Sequence, residues 1–234
     1  MKQAGALWLI LALAACGHAQ RGDGQRDAAG FPKPDRPVAP VVSARWSSEP
    51  VRDSRKEAAA VMRAAGVRNG MTVADIGAGE GYYTIRLSSR VGPDGRVLAE
   101  DIVPAYHDAL ATRVLHDKLD NVSVVLGRPD DPGLPPGSFD RVFMVHMYHE
   151  MAQPYAVLWH LRSALKPDGQ IVVVDADRPT GAHGTPPALL DCEFRAVGYE
   201  PVRHVSMPQA DGYLTLYRAV GPRPVPKTIT ACDA

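Results

Sequence analysis

The stretch Val73-Ala-Asp-Ile-Gly-Ala-Gly-Glu-Gly-Tyr-Tyr-Thr84 decides how the rest of the chain is read. Residues 73–76 form a short apolar run that carries a carboxylate, Asp75. Gly77, Gly79 and Gly81 follow at alternate positions, and residues 82–90 then take up helical spacing. The pattern predicts a strand, a glycine turn and a helix. Glycine suits the turn because the chain must leave the strand sharply and offer bare backbone to a ligand, while the helix N-terminus supplies free N–H groups. The dinucleotide fingerprint places its third glycine one position later, where Tyr82 stands. The spacing here is therefore G-x-G-x-G.

With Asp75 ahead of it, this stretch resembles the first motif of the class I methyltransferases that use S-adenosylmethionine. The resemblance implies that Asp75 and the backbone of Gly77 and Gly79 hold the methionine end of the cofactor, with Gly81 completing the cradle. The competing reading is a structural glycine turn in another α/β protein. Further along, Val97-Leu-Ala-Glu-Asp-Ile102 reads as a second strand with two acids at its tip, about 20 residues beyond the glycines, where an acid accepts ribose hydroxyls. It resembles the family's second motif with Asp101 in register, and Glu100 is the alternative. Leu165-Lys-Pro-Asp-Gly169 before an apolar run resembles the family's Leu-Lys-Pro-Gly-Gly element.

The remaining periodicities fit this frame. Helices are predicted at 55–65, 104–119, 154–165 and 188–197, and strands at 121–127, 138–145, 170–175, 200–205 and 212–220. Strands alternating with helices demand a right-handed, doubly wound, mostly parallel α/β sheet. The last two strands, divided by Pro208-Gln-Ala-Asp-Gly212, fit an antiparallel final strand. The loop at 128–137 departs from the family pattern. Arg128 stands where many relatives have an acid, and Pro129 has no N–H to give; the resemblance then implies Asp130 or Asp131 as the adenine contact, the alternative being that both are simply solvated.

Four polar side chains, His146, Tyr148, His149 and Glu150, follow the fourth strand at the sheet edge where open α/β folds bind ligands. Three readings compete. His149, with Tyr148 and His146, can deprotonate or orient an acceptor, work suited to imidazole. His146, His149 and Glu150, joined by His183, can form a metal site. Or the group is structural. His-x-x-His-Glu is not the helical zinc motif, and histidines three apart across a strand-to-loop junction need not converge, so the first reading is preferred and no metal is assigned. The loop at 178–187 can act as a lid carrying His183 and Arg178, or be an inert connection.

The chain has 234 residues, 45% of them hydrophobic, enough for one sizeable core. Lys plus Arg and Asp plus Glu both number 26, so no basic excess points to nucleic acid. Three scattered cysteines exclude a disulfide framework, although Cys192 and Cys232 can pair after export. Lys2 precedes an apolar run at 4–15, too short to span a bilayer but suited to a signal peptide. Leu13-Ala-Ala-Cys16 resembles the lipobox of bacterial lipoproteins, which implies lipidation at Cys16 and an anchor on the periplasmic side of a bacterial membrane, the outer one by preference. The organisation expected is a signal at 1–16, a disordered tether at 17–43, a methyltransferase domain at 44–220 and a disordered Pro-rich tail at 221–234.

The functional expectation is methyl transfer from S-adenosylmethionine to O or N of a small-molecule acceptor. Two other readings stay open: a non-catalytic module on the same fold that binds an adenosyl metabolite or a partner, and an NAD-dependent oxidoreductase, which the glycine spacing disfavours.

Overall fold

A computed structural model describes residues 26–41 and 48–233. The expected signal run, Cys16 and Trp46 lie outside these residues. Seven strands make one sheet in the order β3-β2-β1-β4-β5-β7-β6. They are β1 (Thr72–Ile76), β2 (Arg96–Asp101), β3 (Val122–Leu126), β4 (Phe139–Val145), β5 (Leu165–Asp175), β6 (Tyr199–Met207) and β7 (Gly212–Ala219). Pairs among β1 to β5 are parallel, and only β7 runs against its neighbours β5 and β6. This is the expected doubly wound sheet with an antiparallel final strand. The helices are α1 (Glu49–Ser54), α2 (Glu57–Ala64), α3 (Tyr82–Val91), α4 (Pro104–His116), α5 (Pro154–Ala164) and α6 (Pro187–Ala196).

The central strands are apolar on both faces because helices cover both. In β5, Ile171 and Val173 join one cluster with Tyr155, Leu158 and Phe194 of α5 and α6, while Val172 and Val174 face a second with Val61 of α2 and Leu87 of α3. As read from the sequence, β3 passes to β4 through a loop without a helix; what sequence reasoning missed is that α1 forms a separate turn ahead of α2.

The two termini differ from expectation. Residues 26–41, assigned to a disordered tether, lie along the domain. Phe31 and Ala39 are buried, and the Arg36 guanidinium donates to Glu193 of α6 at 2.9 Å, both side chains 0% exposed. The tail, also expected to be disordered, is held as well. Trp159 donates to the Pro224 carbonyl, Ile229 is buried, and Cys232 forms a disulfide with Cys192 of α6 across a separation of 40 residues. Loop closure of that length removes unfolded-state entropy worth about 2–4 kcal/mol. Composition argued for disorder because each segment alone has little to bury; the apolar area comes from the surface of the folded domain. Among the described residues, no helix is long and apolar enough to cross a membrane.

Candidate active site

The C-terminal ends of β1, β2 and β4 open into a crevice of two chambers. The larger, about 360 Å³, is bounded by Asp75, the turn at 77–80, Arg52 of α1, Tyr83, His146, His149 and His183. The smaller, about 110 Å³, lies between Glu100 and Asp101 of β2, Pro129 and Pro132 of the following loop, and Met151. Gly77, Met147 and Glu150 border both chambers.

The glycine turn is shaped by the acids around it. Gly79 N–H donates to the Asp101 carboxylate at 2.8 Å and Ala78 N–H to the Glu100 carbonyl at 2.9 Å. These N–H groups are drawn towards β2, so what the turn offers the larger chamber is its bare surface. That modifies the expectation that Gly79 holds a ligand through its amide. Gly77 has φ +65°, and a Cβ there would lie 2.9 Å from Met147 Cε. Gly81 has φ +85°, and a Cβ there would overlap Leu110. Gly81, expected to complete the cradle, borders neither chamber and serves helix packing instead.

Asp75 is buried and accepts from Thr84 Oγ1 at 2.6 Å. Burial raises its pKa to about 6, with the Thr84 bond and the Arg52 charge opposing. Glu100, also buried, is raised to about 8, chiefly by burial and then by the Asp101 charge, and its Oε1 has no hydrogen-bond partner. Oε1 packs against the backbone of Gly127, where a Cβ would overlap it. Asp101 accepts from Gly79 and Val103 N–H groups and still borders the smaller chamber. Both acids therefore flank the place read from sequence as the ribose site.

Three assignments need correction. Asp130 and Asp131 do not border either chamber; Asp131 pairs with Arg128 at 2.8 Å and accepts from Gly133 N–H, and Asp130 lies 3.5 Å from the same arginine. The carboxylates satisfy their own Pro- and Gly-rich turn, and it is the prolines that face inward. Tyr148 is also absent from the chamber walls. It is 0% exposed, and its hydroxyl donates to Glu193 at 2.7 Å. In the single 3-10 turn at 148–150 neighbouring side chains point in different directions, so Tyr148 enters the core as His149 meets the cavity.

His149 is almost fully buried, and its Nδ1 lies 3.0 Å from both oxygens of Asp175 at the end of β5. Asp175 also accepts from Thr185 Oγ1 at 2.7 Å and Ala176 N–H at 2.9 Å. A carboxylate in that position places the imidazole proton on Nδ1 and leaves the Nε2 lone pair for other work. The turn itself is held from outside by the N-terminal segment. Ala39 N–H donates to the His149 carbonyl at 3.1 Å, and Arg36 to the Tyr148 and His149 carbonyls at 3.4 and 3.5 Å. His146 has φ +54° and borders the larger chamber; burial, more than any neighbour, lowers its pKa. His183 borders the same chamber, while Arg178 does not. The loop expected to be a lid is pinned through Thr185, whose carbonyl also accepts from the Tyr213 hydroxyl at 2.7 Å.

Sequence reasoning missed Arg52, Glu57 and Tyr83. Arg52 borders the larger chamber and donates twice to Glu57, at 2.6 and 3.0 Å, and Glu57 also accepts from the Tyr83 hydroxyl at 3.0 Å. No local motif marks them, because α1 and α2 reach the crevice only when they fold back over α3.

Residues 73–169 match the methyltransferase domain family. The fold is that of the class I methyltransferases, and a solved S-adenosylmethionine-dependent methyltransferase from Aquifex aeolicus superposes with a TM-score of 0.63 at 24% identity, covering 73% of this chain and 97% of that one. The chain is similar to the ubiquinone/menaquinone biosynthesis C-methyltransferase of Hahella chejuensis, 30% identical across 49% of this chain and 47% of that protein. It is also similar to the nocamycin O-methyltransferase of Saccharothrix syringae, 31% identical across 59% of this chain and 62% of the relative. It thus spans about half to three-fifths of the length of these curated relatives. Residues 73–169 thus carry a match to a methyltransferase domain, and the crevice beside them offers groups that suit S-adenosylmethionine. Asp75 and Arg52 put opposite charges in one chamber, as an amino-acid zwitterion requires.

Proposed function

We propose that the whole protein transfers a methyl group from S-adenosylmethionine to an O or N atom of a small-molecule acceptor. The observation that carries this reading is the acid-flanked glycine turn opening into two joined chambers, inside the segment that matches the methyltransferase family. When bound, the cofactor supplies an already activated methyl on a sulfonium. The protein's own work is positioning, exclusion of water and, for an O–H or N–H acceptor, removal of a proton. Asp75 and Arg52 would hold the amino-acid end, and Glu100 and Asp101 the ribose. The wall formed by His146, His149, Glu150 and His183 faces the remaining space and is where the acceptor loses its proton.

Calorimetric titration of the protein with S-adenosylmethionine, S-adenosylhomocysteine and NAD separates this reading from its alternatives. Both sulfur compounds are expected to bind and NAD is not. If neither sulfur compound binds, the methyltransferase reading is lost. A chain beginning at residue 44 is unsuitable for the experiment, because it lacks Arg36 and Ala39, which brace the His149 turn.

We further propose that the chain is exported and anchored through a lipid on Cys16. The Leu13-Ala-Ala-Cys16 sequence supports this, and so does the Cys192–Cys232 disulfide, a pairing favoured in oxidising compartments. Cells expressing the protein are expected to incorporate a palmitate analogue into it, and Cys16→Ser is expected to abolish the label. Equal labelling of the two forms would remove the anchor.

A further inference from the structure

We propose that His149, Glu150 and His183 bind one divalent transition-metal ion at the acceptor end of the larger chamber. In the sequence, a metal site of His146, His149 and Glu150 with His183 ranks behind the other readings, since His183 lies 34 positions beyond His149 and the local motif matches no metal signature. The fold brings them together. Each offers one ligand atom, and the three atoms lie within 4.8 Å of one another. All three residues border the same cavity, and the His149 and His183 rings stand edge to face with centroids 5.4 Å apart. Ligands about 2.1 Å from a common tetrahedral ion stand roughly 3.4 Å apart. Loading therefore requires the side chains to close by about an ångström, which small rotations supply.

The surroundings are built in the manner of a metal site. His149 Nδ1 is held by Asp175, which leaves Nε2 as its ligand atom, and a carboxylate behind a ligating imidazole fixes the ring and raises its basicity. Asp175 is 0% exposed and is itself fixed by Thr185 and Ala176. Thr185 lies two residues after His183, so the hydrogen bond to Asp175 also sets the height of the His183 segment over the cavity. His183 has φ +57°, a left-handed conformation that turns the chain sharply at this point. Two imidazoles and one carboxylate suit Zn²⁺, Mn²⁺, Fe²⁺, Co²⁺ or Ni²⁺ rather than Mg²⁺ or Ca²⁺, which take oxygen ligands. Three protein ligands leave a coordination position open to the cavity, as in catalytic rather than structural sites.

The role of the ion rests on the methyltransferase reading; its binding does not. An acceptor hydroxyl bound at the open position is acidified by the ion and loses its proton to water. The acceptor oxygen then attacks the sulfonium methyl: the O–C bond forms, the C–S bond breaks, and its electron pair stays on sulfur in S-adenosylhomocysteine. The ion's oxidation state does not change. On this account His149 positions the ion and is not itself the base.

Titration of metal-free protein with Co²⁺, followed by visible d–d absorption, and with Zn²⁺, followed by elemental analysis after dialysis, is expected to give one ion per chain. His183→Ala and Glu150→Gln, neither of which empties the core, are each expected to weaken binding at least tenfold. Asp75→Asn is expected to lose S-adenosylmethionine affinity while keeping the ion, so a failure of the metal site and a failure of the cofactor site read differently. Absence of stoichiometric Co²⁺ and Zn²⁺ binding by the unmodified protein, or binding unchanged in both ligand variants, would overturn the proposal.

Discussion

Arg36→Ala is expected to lower the free energy of unfolding by about 3–5 kcal/mol, the scale on which breaking one side of a fully buried ion pair acts. Arg36 and Glu193 meet at 2.9 Å with no exposure of either side chain. Glu193 also accepts from the Tyr148 hydroxyl, and Arg36 donates to the carbonyls of Tyr148 and His149. Truncating the arginine leaves the Glu193 carboxylate with only the tyrosine as partner in an apolar interior. It also releases the turn that presents His149 to the cavity. Urea or thermal unfolding measures the loss. Replacing both partners together by apolar residues of similar volume should restore most of it, because no charge is then stranded. A loss below about 1 kcal/mol for the single variant would mean that residues 26–41 do not hold to the domain in solution.

Affinity for S-adenosylmethionine is expected to fall about tenfold as the pH drops from 7 to 5. Asp75 has its pKa raised to about 6 by burial, so it is mostly ionised at pH 7 and roughly one-tenth ionised at pH 5. Only the ionised form attracts the cofactor's ammonium. The sign for stability is opposite. Between the ordinary aspartate value and about 6, the folded chain holds a proton that the unfolded chain has released, so this group's contribution to stability falls as pH rises through that window. Glu100, raised to about 8, stays largely protonated from pH 7 to 5 and adds little slope. Asp75→Asn keeps an acceptor for Thr84 and removes the charge. It should flatten the pH profile and weaken binding at pH 7 by about 10- to 100-fold, the range for a hydrogen bond to a charged group. Unfolding midpoints for Asp75→Asn at or above those of the unmodified protein near pH 7 would show that the lost affinity is not lost structure. A pH slope that persists in Asp75→Asn would assign the titration to another group and unseat Asp75.

The elements legible in the sequence are those whose signals are local. An apolar run entering a glycine turn and then a helix specifies β1, the turn and α3 with no help from distant residues, and both the family match and the sheet order follow from its repetition along the chain. Glu100 and Asp101 fall at the tip of β2 for the same reason, since a strand end in a parallel sheet has a fixed position relative to the first turn.

What local patterns determined, then, was the sheet, the cofactor crevice and the acids beside it. The tertiary structure alone decided that Tyr148 turns into the core while His149 faces the cavity, and that Asp130 and Asp131 serve their own turn. It also decided that Arg52 closes the crevice, that the two terminal segments pack, and that His183 comes beside His149 and Glu150. Each of these depends on a partner far along the chain. A carboxylate or imidazole takes whichever donor, acceptor or cavity the completed fold puts within about 3 Å of it, and sequence spacing carries no record of that distance.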